Sequence, residues 1–434
     1  MSVKLEIAII GTGYVGLVSA LCFCKLGHNV TAFDRDLEKV AALKKGKSTL
    51  FEKDVDKLLS EALANNSISF SDDISGLANK DAIFIAVGTP FNYETSKTDL
   101  SQINGALSDI IKYASDHSLI INKSTAPIGT YQRLKDYIKL HNRKLHLAIN
   151  PEFLSQGQAI EDFLSPDRIV VGYEAEEAGV ILAKLYQPLI DKKVSYIETD
   201  PISSEIAKYT ANNFLALKIA FINEIANLSE KVSGNYEDIK KILISDKRIG
   251  SHFMNAGPGF GGSCFPKDTA SFANSFNEAD IPNDVIKSIN ISNKATINNI
   301  IVRLENILDG KGKNISILGL TFKAGTDDVR SSQSIIIINQ LLAKGYNIKA
   351  YDPEAQPDQI KNLLEGDITI ADDPSEIFKN SNLCLILTEW PEFLDYDYIQ
   401  LSNLMQNKII FDTRNLLDTK KLLDSEIILY KRGQ

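Results

Sequence analysis

The segment Gly257-Pro-Gly-Phe-Gly-Gly-Ser-Cys-Phe-Pro-Lys-Asp268 places a cysteine between a glycine-rich loop and the start of a helix. The glycines allow left-handed backbone and close approach to a ligand, and Pro266 is typical of a first helical turn. Cys264 therefore stands where the free N–H groups of a new helix point, beside Lys267. This setting favours the nucleophilic thiolate. Asp268, four residues on, is expected about one turn away. We interpret the segment as a reactive-cysteine site rather than a surface loop with an inert thiol.

The bulk composition limits the function classes that remain open. The chain has 434 residues, which suggests two or three domains, and its 44% hydrophobic content supplies proper cores. It has no apolar run of membrane-spanning length, and we expect no cleavable leader, since Met1-Ser-Val-Lys passes directly into a strand pattern. The four cysteines lack metal-type spacing, so we expect reduced thiols, no metal and a cytoplasmic location. A net charge of −9 argues against a nucleic-acid partner.

The N-terminal segment predicts a dinucleotide site. The apolar run Leu5–Ile10 is followed by Gly11-Thr-Gly-Tyr-Val-Gly16 and then by a helical pattern, which is the context that a G-x-G-x-x-G fingerprint needs. A second strand ends in Asp34, 18 residues past Gly16, close to the position of a ribose-binding acid. An acid there repels a 2′-phosphate and favours NAD, although Arg35 leaves NADP open.

Further strands and a long helix follow. Two more apolar runs end in Gly88-Thr-Pro90 and in Lys123–Gly129, as in parallel strands whose carboxyl ends face a ligand. From Pro201 to about Gly234, apolar residues recur at helical spacing without Gly or Pro between them. Lys208 and Asn212 fall on one face of this helix. Residues 235–298 continue the helical pattern around the glycine loop, so we expect a linker that also builds a homodimer.

The C-terminal third repeats the first. Ile315-Ser-Ile-Leu-Gly319 matches Ile7-Ala-Ile-Ile-Gly11, and the segment ending in Asp352 matches the one ending in Asp34. Lys323 and Arg330, at the head of a helix, suit phosphate binding. We therefore predict an α/β fold with two Rossmann-like doubly wound parallel sheets joined by a long central helix. The predicted domains span residues 1–198, 199–299 and 300–434.

Together these motifs resemble the UDP-glucose/GDP-mannose dehydrogenase family, most closely its UDP-glucose 6-dehydrogenases, over essentially the whole chain. The cysteine segment carries the resemblance first. Four further motifs agree with it, namely Asn150-Pro-Glu-Phe-Leu154, Ser204-Glu-Ile-Ala-Lys-Tyr-Thr-Ala-Asn-Asn-Phe214, Gly319-Leu-Thr-Phe-Lys-Ala-Gly-Thr-Asp-Asp-Val-Arg-Ser-Ser332 and Asp412-Thr-Arg414. One departure stands out: where the family usually has a second acid, this chain has Ser155-Gln156, and a neutral Gln can still hydrogen-bond.

The resemblance implies a set of site residues. For NAD these are Gly11, Gly13, Tyr14, Val15, Gly16, Asp34, Lys39, Thr89, Thr125, Gln156 and Arg330. For a UDP-glucose substrate they are Glu152, Phe153, Leu154, Lys208, Asn212, Arg248, Phe253, Gly261, Phe322, Lys323 and Arg414. The catalytic residues would be Cys264, Lys208, Asn212, Asp268, Glu152 and Thr125. In the family, the arginine that matches Arg248 reaches the substrate of the neighbouring subunit.

The resemblance also implies a reaction, the four-electron oxidation of a primary alcohol to a carboxylate with two NAD⁺. Asp268, through a water held with Thr125, would take the hydroxyl proton. The Cys264 thiolate would attack the aldehyde, because a thiohemiacetal again carries a transferable hydrogen. Lys208 and Asn212 would stabilise the oxyanion, and Glu152 would activate the water that hydrolyses the thioester.

Three other functions stay open on the sequence. The same chemistry could act on GDP-mannose or UDP-N-acetylmannosamine. An ordinary two-electron dehydrogenase of a small hydroxy acid shares the Rossmann and helical domains, but the repeated C-terminal domain and Cys264 count against it. A non-catalytic NAD-binding redox sensor could also use Cys264.

Overall fold

The computed structural model describes residues 3–422 and 425–434. The chain divides into two compact units, Met1–Ala211 and Asn212–Gln434, and the division falls inside the long helix Pro201–Lys231. Each unit contains one large sheet, and the two units are described separately below.

The first unit is built on an eight-stranded sheet. Along the sheet the strands run β3-β2-β1-β4-β7-β8-β9-β10, and β5 and β6 form a separate hairpin. Every neighbouring pair is parallel except β8 and β9, which are antiparallel, so the expected parallel sheet holds with one reversed pair near its edge. The strands are β1 Glu6–Ile10, β2 Asn29–Phe33, β3 Ile68–Ser71, β4 Ala82–Ile85, β5 Phe91–Asn92, β6 Lys97–Thr98, β7 Leu119–Asn122, β8 His146–Ile149, β9 Arg168–Tyr173 and β10 Ser195–Thr199.

Both faces of this sheet are buried because successive side chains of each strand point to opposite faces. In β1, Ile7 and Ile9 join the core beneath one set of helices, whereas Ala8 and Ile10 join the core beneath the other set. This is the doubly wound arrangement that the sequence predicts. The helices of this part of the chain are α1 Tyr14–Lys25, α2 Leu37–Lys44, α3 Val55–Ala64, α4 Ser101–Tyr113, α5 Thr130–Leu140, α6 Ala159–Leu164 and α7 Glu176–Ile190, with a 3₁₀ turn at Ile74–Leu77.

The second unit repeats the strand order of the first. Its six strands run β13-β12-β11-β14-β15-β16, and every neighbouring pair is parallel. This matches the order β3-β2-β1-β4-β7-β8 of the first unit, so the predicted internal repeat is confirmed. The strands are β11 Asn314–Leu318, β12 Asn347–Tyr351, β13 Thr369–Ile370, β14 Leu383–Ile386, β15 Ile409–Asp412 and β16 Ile428–Lys431.

The central helix ends close to its predicted end, because Gly234 and the capping Asn235 interrupt the helical pattern. The predicted helical continuation is then broken by the irregular stretch 246–264, which contains the glycine loop. No helix in the described ranges is long and apolar enough to cross a membrane. From the central segment onward the helices are α8 Pro201–Lys231, α9 Tyr236–Ser245, α10 Phe265–Glu278, α11 Asp284–Leu308, α12 Gln333–Ala343, α13 Pro357–Lys361, α14 Pro374–Phe378 and α15 Tyr398–Ser402, with 3₁₀ turns at Pro391–Leu394 and Thr419–Leu422.

Candidate active site

A cavity of about 540 Å³ opens at the carboxyl ends of β1, β2 and β4 in the first unit. This is the switch point of the sheet, where α/β folds of this type bind their ligands. Four of the predicted cofactor residues line it, namely Gly11, Gly13, Asp34 and Lys39. Sequence reasoning did not assign the other polar residues of the wall, which include Asp72, Gln102 and Asp109.

The first and third glycines of the fingerprint are fixed by close backbone packing. Gly11 has φ +97°, and a Cβ on Gly16 would lie 1.9 Å from the Gly11 carbonyl oxygen. Only glycine therefore allows the turn from β1 into α1. A Cβ on Gly13, by contrast, would have no heavy atom of the described residues within 4 Å. This open space leaves room for a ligand to approach the backbone at the start of α1, where pyrophosphate binds in such folds.

Asp34 is held as a carboxylate at the end of β2. It accepts hydrogen bonds from the Thr12 N–H (2.8 Å) and the Thr12 hydroxyl (2.6 Å), and Lys39 lies 3.2 Å away. Burial alone would raise the pKa of Asp34, but the Thr12 hydrogen bonds and the Lys39 charge hold it below its usual value. An ionised acid in this position accepts hydrogen bonds from ribose hydroxyls and repels a 2′-phosphate. The cavity and its acid thus fit NAD.

Two further groups of predicted cofactor residues are connected by hydrogen bonds. The Thr89 hydroxyl donates to the Thr125 carbonyl at 2.7 Å. Tyr14, the first residue of α1, donates its hydroxyl to Glu52, and Glu52 also accepts from the Gly157 N–H (2.6 Å), next to Gln156. Glu52, which sequence reasoning missed, therefore joins Tyr14 of the N-terminal fingerprint to the segment that carries Gln156.

A buried ion pair lies at the end of β8. The Lys208 ammonium is 3.0 Å from Glu152, and both side chains are less than a tenth exposed. The Leu154 N–H donates to the other Glu152 oxygen at 2.6 Å. Burial would raise the pKa of Glu152, but Lys208 and this N–H hold it below its usual value. Phe153 lies between two cations, with the Arg168 guanidinium 3.9 Å and the Lys208 ammonium 5.3 Å from its ring centre.

Lys123 is a second buried lysine in this region. It is 4% exposed and donates to the Asn150 side chain at 3.1 Å. Burial lowers its pKa to about 8, the Glu152 charge acts in the opposite direction, and Lys208 lowers it further. The carboxylate thus interacts with two lysines. The sequence offers one weak signal for Lys123, its position directly after a buried strand.

In the second unit, Cys264 is exposed and forms the N-cap of α10, one residue before Phe265. Its predicted position at a helix start is therefore correct. The predicted neighbour Lys267 is paired with Asp268 at 2.6 Å. A different cation, Arg330, interacts electrostatically with Cys264. The pKa of Arg330 is raised, mainly by its hydrogen bond to Asp328; burial opposes the rise, and the charges of Asp328 and Cys264 add to it.

Asp268 is the most buried group of this cluster, at 1% exposure. Its backbone N–H bonds to the Cys264 carbonyl at 2.8 Å, which places it one helical turn from the thiol-bearing residue. One carboxylate oxygen receives Lys267, and the other receives the Asn212 amide at 2.6 Å. Of the predicted catalytic residues in this unit, the structure thus joins Asp268 and Asn212 directly.

The glycine loop packs against two of the predicted substrate residues, Phe322 and Arg414. A Cβ on Gly262 would lie 2.9 Å from the Phe322 ring, and one on Gly257 would lie 3.1 Å from the Arg414 guanidinium. A Cβ on Gly261 would lie 2.3 Å from the Ser331 carbonyl oxygen. Lys323 stands 5.9 Å from the centre of the Phe322 ring. Contacts with residues distant in sequence therefore require glycine at positions 261 and 262.

Two of the predicted substrate residues lie away from this packing. The Arg248 side chain is 90% exposed and forms an ion pair with Asp246 at 2.6 Å. Phe253, with φ +63°, is 38% exposed, and its ring centre is 6.1 Å from that of Phe265. Phe253 thus contacts the residue after Cys264, whereas Arg248 projects outward.

The two large sheets, the cofactor-sized cavity and the cysteine at a helix start define a nicotinamide-dependent oxidoreductase. The family models agree. The UDP-glucose/GDP-mannose dehydrogenase family matches with its NAD binding domain over residues 5–190, its central domain over 202–295 and its UDP binding domain over 316–419.

Known relatives cover nearly the whole chain. The UDP-glucose 6-dehydrogenase of Rickettsia felis is 42% identical over 416 residues, which span 95% of this chain and 93% of that protein. The enzyme of the same name from Rhizobium meliloti is 38% identical over 419 residues, 95% of each chain. A solved UDP-glucose dehydrogenase from Pyrobaculum islandicum superposes with a TM-score of 0.90 at 32% identity, covering 100% of this chain and 98% of that chain.

The chain belongs to the UDP-glucose/GDP-mannose dehydrogenase family. It is an NAD-dependent oxidoreductase whose C-terminal part is the UDP binding domain of that family. The predicted family, fold class and cofactor are thereby confirmed.

Proposed function

We propose that the protein oxidises UDP-glucose to UDP-glucuronate, consuming two NAD⁺ per sugar and forming a covalent intermediate on Cys264. The observation that carries this proposal is the exposed Cys264 at the start of α10, one turn before the buried Asp268. The names of the relatives above support the choice of sugar.

We also retain the domain boundaries at residues 1–198, 199–299 and 300–434. The cytoplasmic assignment rests on the sequence, which has only four cysteines in 434 residues and no metal-type spacing among them.

The cavity in the first unit would hold the dinucleotide through the fingerprint glycines, Asp34 and Lys39. Bound NAD⁺ supplies the hydride acceptor for each two-electron step. The remaining chemistry falls to side chains of the protein. Arg330, which the family resemblance assigns to the cofactor, interacts electrostatically with Cys264, so its positive charge would also favour the thiolate.

In the first oxidation the alcohol must lose its hydroxyl proton. Asp268 is the proposed acceptor, through a water that Thr125 would help to hold. The Asp268 carboxylate accepts from Lys267 and Asn212, and its remaining lone pairs can accept a third hydrogen bond. The fixed hydrogen bonds orient the carboxylate before substrate arrives.

In the second oxidation the Cys264 thiolate adds to the aldehyde carbon, and its sulfur becomes bonded to the sugar. The carbonyl oxygen becomes an oxyanion, which Lys208 and Asn212 would stabilise. This oxyanion, the deprotonated thiohemiacetal, then loses a hydride and becomes the carbonyl of a thioester. The exposed position of Cys264 supports this role, because a nucleophile must reach its substrate.

Hydrolysis of the thioester requires water and a base. Glu152 is the proposed base, and its lowered pKa keeps it ionised at neutral pH and able to accept a proton. Attack by water breaks the carbon–sulfur bond, regenerates the thiolate and yields the carboxylate. Counting both oxidations, one alcohol and one water give one carboxylate, two hydrides and three protons.

We also propose a homodimer through the central helix. Phe214, Phe221 and Leu228 recur every seven residues of α8 and are 60%, 50% and 58% exposed. Large apolar side chains repeated along one helix are typical of a face that a partner covers. Light scattering or sedimentation equilibrium would test this, and a monomer at micromolar concentration would reject it.

The test of the function is a panel of nucleotide sugars assayed for NADH release. We expect UDP-glucose to be oxidised far better than GDP-mannose or UDP-N-acetylmannosamine, with two NADH formed per sugar. A preference for either of the other sugars would overturn the substrate assignment. A yield of one NADH per sugar would overturn the four-electron reaction.

A further inference from the structure

A third buried acidic side chain, Glu205, lies on α8 one turn before Lys208. It is 4% exposed, and its two carboxylate oxygens accept from the Gly129 N–H and the Tyr131 N–H, both at 2.7 Å. Gly129 is the N-cap of α5, and Tyr131 is in its first turn. Glu205 therefore caps a helix from outside it, with one oxygen for each of two N–H groups.

Burial of the charged Glu205 carboxylate opposes folding. Burial raises the pKa of Glu205 to about 7, and the two N–H groups only partly offset that effect. The hydrogen bonds of Glu205 in the described ranges come from backbone groups, so the positive end of α5 supplies its compensating charge. Ordinary caps use a short polar side chain at the helix start instead.

The segment that Glu205 holds carries a proposed catalytic residue. Thr125 lies between β7 and α5, four residues before Gly129. On the other side of Thr125, the Ser124 hydroxyl donates to the Val87 carbonyl at 2.8 Å, and Thr89 bonds to Thr125 itself. The segment is thus fixed to the sheet at one end and to α8 at the other.

A cavity of about 10 Å³ adjoins Thr125, Glu205 and Lys208 together. Glu205 and Lys208 are three residues apart and share one face of α8. One helix turn therefore carries both the carboxylate that holds the Thr125 segment and the ammonium that holds Glu152.

We propose that Glu205 is a positioning residue, which fixes the Thr125 segment against the Lys208 turn of α8 so that Thr125 is set for proton removal. This inference rests on the proposed function, in which Thr125 helps to hold the water for Asp268. Glu205 itself acts through the backbone of Gly129 and Tyr131.

Glu205→Gln tests the proposal, because glutamine keeps the side-chain volume but loses the charge and turns one acceptor into a donor. We expect kcat to fall about tenfold, as small misplacements of catalytic groups do, while KM for the nucleotide sugar changes less than about twofold. Ser204→Ala is the matched control, since Ser204 is the neighbouring buried residue and its hydroxyl has no hydrogen-bond partner among the residues that the structure describes. Its kcat should equal that of the wild type.

A double-mutant cycle with Thr125→Ala separates positioning from general damage. If Glu205 acts through Thr125, Glu205→Gln should cost less than about twofold in kcat once Thr125 is Ala. Equal losses in both backgrounds would overturn the proposal, and so would full activity of Glu205→Gln. If this variant does not fold, Glu205→Asp takes its place, and failure of both to fold would assign Glu205 to stability alone. The assay uses whichever nucleotide sugar the wild type oxidises, so a wrong sugar assignment leaves the comparison intact.

Discussion

Cys264 differs from the other three cysteines in its surroundings. Burial raises the pKa of Cys24 to about 11 and that of Cys384 to about 12, and it also raises the pKa of Cys22. Cys264 is exposed at the start of a helix and interacts electrostatically with Arg330, and both features favour a thiolate. One of four thiols is therefore equipped to act as a nucleophile.

Replacement of Cys264 by Ala removes thioester formation but leaves the groups proposed for the first oxidation. We expect UDP-glucuronate formation to fall at least about a thousandfold, while added UDP-aldehyde is still reduced with NADH. Cys24→Ala, which removes a half-buried thiol of the cofactor unit, should keep nearly full activity. Product formation is followed by chromatography, and normal carboxylate yield from Cys264→Ala would reject the covalent route.

The Glu152–Lys208 pair predicts a large, pH-dependent stability effect. Glu152→Gln removes the buried negative charge that faces the Lys208 ammonium, so the free energy of unfolding at pH 7 should fall by about 3–5 kcal/mol. The folded-state pKa of Glu152 lies below the ordinary 4.5, so its stabilisation is fully present above about pH 4.5. It is lost as the pH falls through the folded-state pKa, and the two proteins should then converge.

Denaturant unfolding at pH 7 and in acid measures this difference. The control is Glu174→Gln, because Glu174 forms an exposed ion pair with Lys135 and should cost less than about 1 kcal/mol. Equal losses for the two variants would show that burial of the Glu152 pair contributes nothing extra.

The sequence predicted residues that stand inside motifs and missed those that act through contacts distant in sequence. Cys264 and Asp34 could be predicted because a helix start or a strand end lies directly beside them. Glu52, Lys123 and Glu205 could not, because their partners are more than 20 residues away in the chain. A single carboxylate on a helix, such as Glu205, is usually solvated, and the residues next to it in the sequence do not indicate that it is buried.

At the scale of elements, the internal repeat was the most predictable feature. Gly11 and Gly319 have φ +97° and +96°, and each follows the central strand of its sheet. Asp34 accepts from the N–H of Thr12, the residue after Gly11, and Asp352 accepts at 2.7 Å from the N–H of Leu320, the residue after Gly319. These equivalences could be predicted because the two sequence segments share the same order of apolar run, glycine turn, helix and strand-ending acid.

The repeat did not predict which side chain contacts Asp352, the acid of the second unit that corresponds to Asp34. The Trp390 indole N–H lies 3.2 Å from Asp352 and 3.2 Å from the Thr321 hydroxyl. In the first unit the corresponding acid faces the large cavity. The second sheet therefore keeps the Rossmann strand order, but the Trp390 indole N–H binds Asp352, the acid that corresponds to the ribose-binding Asp34. Trp390 is almost 40 residues from Asp352, so only the folded chain reveals this contact.

The glycine loop is an element whose conformation should control the cysteine. Gly262→Ala strains a residue at φ +80° and pushes its Cβ to 2.9 Å from the Phe322 ring, two residues before Cys264. We expect kcat to fall roughly tenfold to a hundredfold as the loop shifts. Gly310→Ala is the matched control. Gly310 has φ +74°, but a Cβ there would have no heavy atom of the described residues within 4 Å.

The control should lose only about 1–2 kcal/mol of stability from its left-handed backbone, with unchanged kcat. Thermal melting and steady-state rates of both variants separate the two effects. If Gly262→Ala were as active as Gly310→Ala, packing of the loop on Phe322 would not position the thiol.

At the scale of the whole molecule, the question is whether one chain completes its own site. In the second unit Arg248 projects into solvent, and its partner in the chain is the nearby Asp246. The exposed apolar residues of α8 in the same unit offer a surface for a second copy. These two observations agree with an arginine that serves the neighbouring subunit, as the family resemblance implies.

A mixed dimer tests this directly. Arg248→Ala and Cys264→Ala should each inactivate their own homodimer. A dimer of one chain of each would pair the intact Arg248 of one subunit with the intact Cys264 of the other and form one working site. Random pairing of equal amounts makes half of the dimers mixed, so about a quarter of wild-type activity should return. Co-expression with two affinity tags isolates the mixed species, and its rate per dimer should be about half that of the wild type. Tagged mixed dimers that form and stay inactive would mean that Arg248 serves its own chain or has no catalytic role.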